Sequence, residues 1–89
     1  MRDEGDEVAG IQMPQYQCHK KVWALQIAAI RHSDETLEFS RADYEPRKMP
    51  PGWISKFSPQ VGGYLVEYID GYLSYSPKQA FEDGYTEIK

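Results

Sequence analysis

Two short runs of β-forming residues, 64–69 and 72–75, flank the dipeptide Asp70-Gly71 near the end of the chain. Asp-Gly is typical of the two-residue type I′ turn, because both central residues of that turn need a positive φ. The pattern therefore predicts an antiparallel hairpin in which the last residue of the first run pairs with the first residue of the second. This hairpin constrains the fold more than any other segment does.

That register assigns the hairpin side chains to two faces, because neighbouring residues of a strand point to opposite sides of the sheet. The face predicted to pack on the core carries Tyr64, Val66, Tyr68, Leu73 and Tyr75. The opposite face carries Leu65, Glu67, Ile69, Tyr72, Ser74 and Ser76. Aromatic residues with a polar end are favoured at interfaces. A protein interface is therefore predicted at Leu65, Ile69 and Tyr72. Self-association is the favoured form of this interaction.

A helix is predicted directly after the hairpin. Ser76 stands as its N-cap, Pro77 at its first position, and Gln79 completes an S-x-x-Q capping box. Gly84 is predicted to be the C′ residue that ends this helix. The following residues, 85–88, are predicted to add a last edge strand.

The first half of the domain is less regular. Residues 16–31 fit both a strand and a helix, and the strand reading is favoured over residues 18–27. Leu37 and Phe39 alternate with polar neighbours and predict a short strand, whereas Trp53 and Phe57 have helical spacing after a proline-rich stretch. The fold class predicted is α+β, with a small antiparallel sheet of about three to five strands, the C-terminal hairpin and one or two short helices.

Charge is unevenly distributed along the 89 residues, whose net charge is −4. Residues 1–7 carry four acids and one base, which leaves ten of the 14 acidic and nine of the 10 basic residues for the rest. Residues 1–15 are therefore expected to form a flexible acidic leader, and residues 16–89 a single domain. Without a basic stripe, direct DNA binding is not expected.

Compartment and chemistry are also constrained by composition. A single cysteine, Cys18, excludes an internal disulfide. The sequence has no apolar run that is long enough to predict a membrane span. Cys18 and His19 would point to opposite faces of a strand and so would not form a nucleophile–base pair. The paired carboxylates and zinc-ligand spacings that catalysis or metal binding needs are missing. The chain is therefore predicted to be no enzyme, to bind no cofactor or metal, and to lie in the cytoplasm.

The proline-rich middle of the chain combines cations with aromatic residues. Arginine beside an aromatic ring is suited to binding a phosphate or a nucleotide. The residues predicted as a possible ligand site are Arg41, Tyr44, Arg47, Lys48 and Trp53. Solvated loop positions are the commoner explanation of such charges.

Two blocks of the sequence, Tyr16–Ile27 and Gly62–Thr86, resemble small proteins encoded in tailed bacteriophages and prophages, most of which have no assigned function. The resemblance implies a phage context and expression in a bacterial host, and it supplies no catalytic residues. It leads to the hypothesis of a non-enzymatic phage accessory protein in the host cytoplasm, which binds a host protein and interferes with host defence or physiology. The alternative hypothesis is an oligomeric protein that binds or sequesters a small anionic nucleotide signal.

Overall fold

Five strands and two short helices make up the part of the chain that the computed structural model describes, residues 13–16 and 20–88. In chain order they are β1 (Trp23–Arg31), β2 (Thr36–Phe39), β3 (Arg47–Lys48), α1 (Trp53–Phe57), β4 (Tyr64–Glu67), β5 (Leu73–Ser76) and α2 (Lys78–Gly84). Most of the predicted acidic leader, as well as Cys18 and His19, lies outside the described residues. The predicted α+β class is confirmed at this level: one antiparallel sheet with two short helices.

The sheet has the strand order β3-β2-β1-β4-β5, and every neighbouring pair is antiparallel. The first four strands form a Greek key, because β4 returns after a long connection to lie beside β1. That connection contains α1. The hairpin β4–β5 then extends the sheet on the far side from β3.

The sheet is strongly curved. In a flat sheet, β3 and β4 would lie about 14 Å apart, since three strand spacings of about 4.8 Å separate them. The side chains of Arg47 on β3 and Glu67 on β4 nevertheless meet, with Arg47 Nη1 3.7 Å from Glu67 Oε1. An irregularity in β1 between Ile27 and Ala29 contributes, because a bulge bends a strand and increases its twist.

The concave side of the curved sheet encloses the hydrophobic core. Its fully buried members are Ile27, Leu37, Met49, Trp53, Ile54 and Leu65. Helix α1 closes this core: the Trp53 indole Nε1 donates a hydrogen bond to the backbone carbonyl of Leu73 on β5, at 3.1 Å. The helical spacing of Trp53 and Phe57 predicted α1 correctly, and the predicted strand at Leu37 and Phe39 is β2.

The hairpin forms as predicted but with a different turn. Its loop has three residues, because Tyr68 N bonds to Tyr72 O at 3.0 Å and Gly71 N bonds to Tyr68 O at 2.8 Å. Gly71 has φ 90°, whereas Asp70 is not among the residues with positive φ. A type I′ turn needs positive φ at both positions, so the Asp-Gly pair instead ends a longer loop with its glycine in the left-handed region.

The longer loop shifts the strand register by one residue. Leu65 pairs with Tyr75, and Glu67 pairs with Leu73. A shift of one residue exchanges the two faces of a strand. The predicted facing of β4 was therefore wrong for Leu65, which faces the core, and for Tyr64, which belongs to the outer, convex face. Val66 shares the face of Tyr64 but is buried, as predicted, with 3% exposure.

Helix α2 also departs from the prediction. Ser76 remains in β5 and pairs with Tyr64, so Pro77 takes the N-cap position and no side chain caps the helix. The predicted capping box is therefore wrong, because strand pairing holds Ser76 in the sheet. The predicted edge strand over residues 85–88 is not formed, and the Tyr85 amide instead bonds back to Phe81 O at 2.9 Å.

Strand β1 begins and ends later than the predicted range of residues 18–27. Its first part, from Trp23 to Gln26, pairs with β4, and its second part, from Ile27 to Arg31, pairs with β2. The prediction of a strand in this ambiguous segment is confirmed. Pairing with β4 and β2 determines where the strand begins and ends.

Candidate functional site

A shallow apolar groove lies between α1 and the tip of the β4–β5 hairpin. Its volume is about 350 Å³. It is lined by Pro50, Pro51, Gly52, Trp53, Lys56, Phe57, Gly71, Tyr72 and Leu73. We call it the α1–hairpin groove. Its lining is largely aromatic and proline-derived, with the Lys56 ammonium as its one charged group, which suits an apolar side chain with a nearby negative charge.

Four side chains form a continuous row beside this groove. Lys20 Nζ lies 5.0 Å from the centre of the Tyr68 ring, and the Tyr68 and Tyr72 rings stack with centroids 6.1 Å apart. Lys56 Nζ lies 5.6 Å from the centre of the Tyr72 ring and 3.4 Å from its hydroxyl oxygen. We call these four residues the tyrosine row. Cation–π contacts hold both ammonium groups against the rings.

The three residues predicted to form an interface do not share one surface. Ile69, at the hairpin tip, is 84% exposed, and Tyr72 is 48% exposed and lines the α1–hairpin groove. Leu65 is 3% exposed and belongs to the core, because the register differs from the predicted one by one residue. An interface that includes Ile69 and Tyr72 stays a prediction.

The five residues predicted as a ligand site are not brought together. Trp53 is buried and lines the α1–hairpin groove, whereas Lys48 and Tyr44 are exposed and do not line it. Arg47 pairs with Glu67 across the curved sheet. Arg41 pairs with Glu87 at 2.7 Å, and this hydrogen bond raises the pKa of the Arg41 guanidinium.

The convex face of the sheet carries a separate aromatic cluster. The Tyr64 and Phe81 rings stack with centroids 4.2 Å apart, and the Phe81 and Tyr85 rings stack at 4.6 Å. The Tyr64 hydroxyl donates a hydrogen bond to Glu82 Oε2 at 2.8 Å. Partial burial, followed by this hydrogen bond, raises the pKa of the Tyr64 phenol. This cluster attaches α2 to the sheet.

The acidic side chains of the hairpin loop and of α2 each accept a separate hydrogen bond. Glu82 accepts from Tyr64, and Asp83 accepts from Gln79 at 2.9 Å. Asp70 Oδ1 accepts from the Tyr72 backbone amide at 3.0 Å, inside the hairpin loop. Among residues 13–16 and 20–88, no group of three or more histidine, cysteine or acidic side chains is placed to hold a metal ion. In the same residues, no helix has the length and apolarity needed to cross a membrane.

Sequence reasoning missed two parts of this surface. Tyr68 was assigned to the core, although it lies in the tyrosine row with Lys20. Lys56, Pro50 and Pro51 were not among the residues predicted to form a site. The spacing of Trp53 and Lys56 in one short helix was the available signal, but only the position of the hairpin tip shows that the two regions meet.

Comparison with known proteins finds that the chain is similar to phage decoration proteins. No family model matches it. The decoration protein of Salmonella phage ST64T is 37% identical over 67 residues, which are 73% of this chain and 50% of that protein. The NMR solution structure of the monomeric form of the phage L decoration protein matches with a TM-score of 0.57 and 36% identity, over 75% of this chain and 52% of that one. The relatives of this chain are phage decoration proteins.

The chain spans about half the length of these relatives. Their names confirm the predicted resemblance to phage proteins, but not the expectation that the relatives lack an assigned function. They also correct the functional hypotheses. A decoration protein has a structural role on the phage capsid. The predictions of a host-protein inhibitor with an anti-defence role, of a nucleotide-sequestering protein, and of the host cytoplasm as the place of action are therefore wrong.

A host protein and a phage component are both compatible with these residues. The absence of catalytic motifs was used to favour binding, and the phage resemblance then suggested a host target. Binding to another component of the phage itself fits the same absence of catalytic residues. No sequence feature separated these two kinds of partner.

Proposed function

We propose that this chain is a decoration module: it binds the outer surface of an assembled phage capsid and acts there as a structural component, without catalysis. The observation that carries the proposal is the agreement of two matches. Sequence identity of 37% to one decoration protein and a structural match to another cover nearly the same share of the chain. Each match covers about three quarters of this chain, which supports a common unit of that length.

The exposed side chains support a binding role for this unit. Protein interfaces are enriched in aromatic residues at their centre, surrounded by polar groups. Tyr72 and Ile69 are exposed at the hairpin, and Trp23 is 61% exposed at the start of β1. Exposed apolar side chains of this size favour contact with another protein surface.

The proposal is tested by co-sedimentation. Particles of the phage that encodes this chain are prepared without the corresponding gene product, and purified protein is added over a range of concentrations. We expect saturable binding with a fixed number of copies per particle, because a symmetric capsid presents a fixed number of identical sites. Particles of an unrelated phage serve as the control. Absent or unsaturable binding, or equal binding to both kinds of particle, contradicts the proposal.

A second measurement addresses the structural role. Particles with and without bound protein are heated, and DNA release is followed with a fluorescent dye. Because a ligand stabilises the state that it binds, we expect release at a higher temperature from decorated particles. Unchanged release at saturating protein would limit the proposal to binding and remove the stabilising role.

A further inference from the structure

We propose that the α1–hairpin groove, together with the tyrosine row, is the surface that faces the capsid, and that the capsid site presents a carboxylate next to an apolar side chain. This inference rests on the proposed function and specifies the partner chemistry. Three features support it: the lining of the groove, the position of the Lys56 ammonium and the hydrogen bond that holds the hairpin loop.

The apolar part of the recognition lies in the groove. Pro50, Pro51 and Phe57 form one side of it, and Tyr72 and Leu73 form the other. This lining offers rings and ring-like side chains with few rotatable bonds, so little conformational entropy is lost when a partner side chain enters. An aliphatic or aromatic side chain of the partner is the group that this lining fits.

The charged part comes from the lysines. Lys56 Nζ contacts the Tyr72 hydroxyl and lies over two rings, 5.1 Å from the centre of Phe57 and 5.6 Å from the centre of Tyr72. Among the described residues it makes no ion pair. Lys20 lies at the other end of the tyrosine row. The two neighbouring carboxylates are engaged by backbone amides, Asp70 by Tyr72 and Glu35 by Gly52. The Lys56 ammonium at the edge of the groove is therefore the group that attracts a carboxylate of the partner.

The hairpin loop holds this arrangement in place. Asp70 is the acidic residue at the tip, and its Oδ1 accepts the hydrogen bond from the Tyr72 amide. The carboxylate therefore fixes the loop that carries Tyr72. Ile69, beside it, is 84% exposed and extends the apolar contact beyond the groove.

The test compares two charge reversals in the co-sedimentation assay. Lys56→Glu reverses the charge at the groove, and Lys78→Glu makes the same change in net charge on α2, where Lys78 does not line the groove. Removing one partner of a close charge pair at an interface weakens binding strongly. We expect Lys56→Glu to raise the Kd for particles by about tenfold or more, and Lys78→Glu to leave it within about twofold.

Two further variants identify the chemistry. Lys56→Arg keeps the charge and is expected to bind nearly as the unchanged protein does. Tyr72→Ser removes the ring at the groove edge and is expected to weaken binding about tenfold, a common loss for a central aromatic contact. Because Tyr72 is half exposed, thermal unfolding of this variant is measured alongside, and binding is compared at a temperature where both proteins are folded.

Salt dependence is the final discriminator. Binding that uses Lys56 against a carboxylate becomes weaker as the salt concentration rises, and the Lys56→Glu variant loses this dependence. If the unchanged protein binds while both the Lys56→Glu and the folded Tyr72→Ser variants bind equally well, the inference about this surface is overturned and the proposed function stands. If the unchanged protein does not bind particles at all, both are overturned.

Discussion

The two faces of the curved sheet are stabilised in different ways. Among the described residues, the concave face encloses a cluster of six buried residues and is closed by α1 through the hydrogen bond from Trp53 to Leu73. The convex face carries α2, which has no buried residue and is attached by stacking between Tyr64, Phe81 and Tyr85. We infer that the concave side determines global stability, whereas α2 is a locally attached element that can open on its own.

The largest effect is expected from a cavity in the concave core. Leu37 is completely buried, so Leu37→Ala removes three heavy atoms whose space the packed neighbours cannot fully close. We expect the free energy of unfolding to fall by about 2–5 kcal/mol. Urea denaturation followed by circular dichroism measures this loss. Ile88→Ala, at a residue 72% exposed, is the control and is expected to change stability little. Equal losses for the two variants would contradict the view that the concave core determines global stability.

A smaller loss is expected where the backbone approaches a ring. A Cβ added at Gly63 would lie 2.5 Å from Cε1 and from the hydroxyl oxygen of Tyr75. Tyr75 would have to move. Its hydroxyl oxygen accepts a hydrogen bond from the Gln60 backbone amide at 3.2 Å, and this bond would be lost. We expect Gly63→Ala to lower the free energy of unfolding by about 1–3 kcal/mol.

Gly84 provides the matched control for this substitution. No atom lies within 4 Å of a Cβ added there, and Gly84 is the last residue of α2. Because alanine is the better helix former, Gly84→Ala is expected to be neutral or slightly stabilising. Thermal melts of the two variants measure the difference. A loss at Gly84 as large as that at Gly63 would contradict the view that α2 is loosely attached.

Removing the middle ring of the convex cluster is expected to have a mainly local effect. Phe81→Ala breaks both stacking contacts, and each such pair contributes about 0.5–1.5 kcal/mol. We expect faster hydrogen–deuterium exchange of the α2 amides, with little change in β1. Equally faster exchange in β1 would show that α2 belongs to the cooperative core.

The smallest effect is expected from the titration of Tyr64. Its pKa is raised in the folded protein, so the fold favours the neutral phenol. The resulting stabilisation is fully present below the ordinary tyrosine pKa of about 10 and is lost as the pH rises through the higher folded value. The difference in phenolate absorbance between the unchanged protein and Tyr64→Phe should show Tyr64 ionising at a higher pH in the folded protein than in urea.

Glu82→Gln tests the cause of this shift. Glutamine keeps an acceptor for the Tyr64 hydroxyl but removes the negative charge of Glu82. We expect the pKa of Tyr64 to fall towards its ordinary value without returning fully to it, since burial remains the larger cause. An unchanged titration would assign the whole shift to burial.

The candidate surface shows how far local patterns reach. Ile69 and Tyr72 were identified from the hairpin signal, and both are exposed. Leu65 was placed with them because the turn was taken to have two residues, and one extra loop residue moved it into the core. The groove could not be predicted, because Pro50 and Tyr72 are distant in sequence and line one groove only where α1 packs against the hairpin.

The sequence by itself determined the elements whose signals are local: the hairpin around Asp70-Gly71, the strand with Leu37 and the short helix that starts at Trp53. Only the tertiary structure decided the turn type, the register and the bounds of β1. These depend on which backbone groups find partners in neighbouring strands and on which face must cover the core. Ser76 illustrates the reason: its sequence context favours a helix cap, but pairing with Tyr64 holds it in the sheet. Where two local preferences compete, long-range pairing and burial determine the outcome.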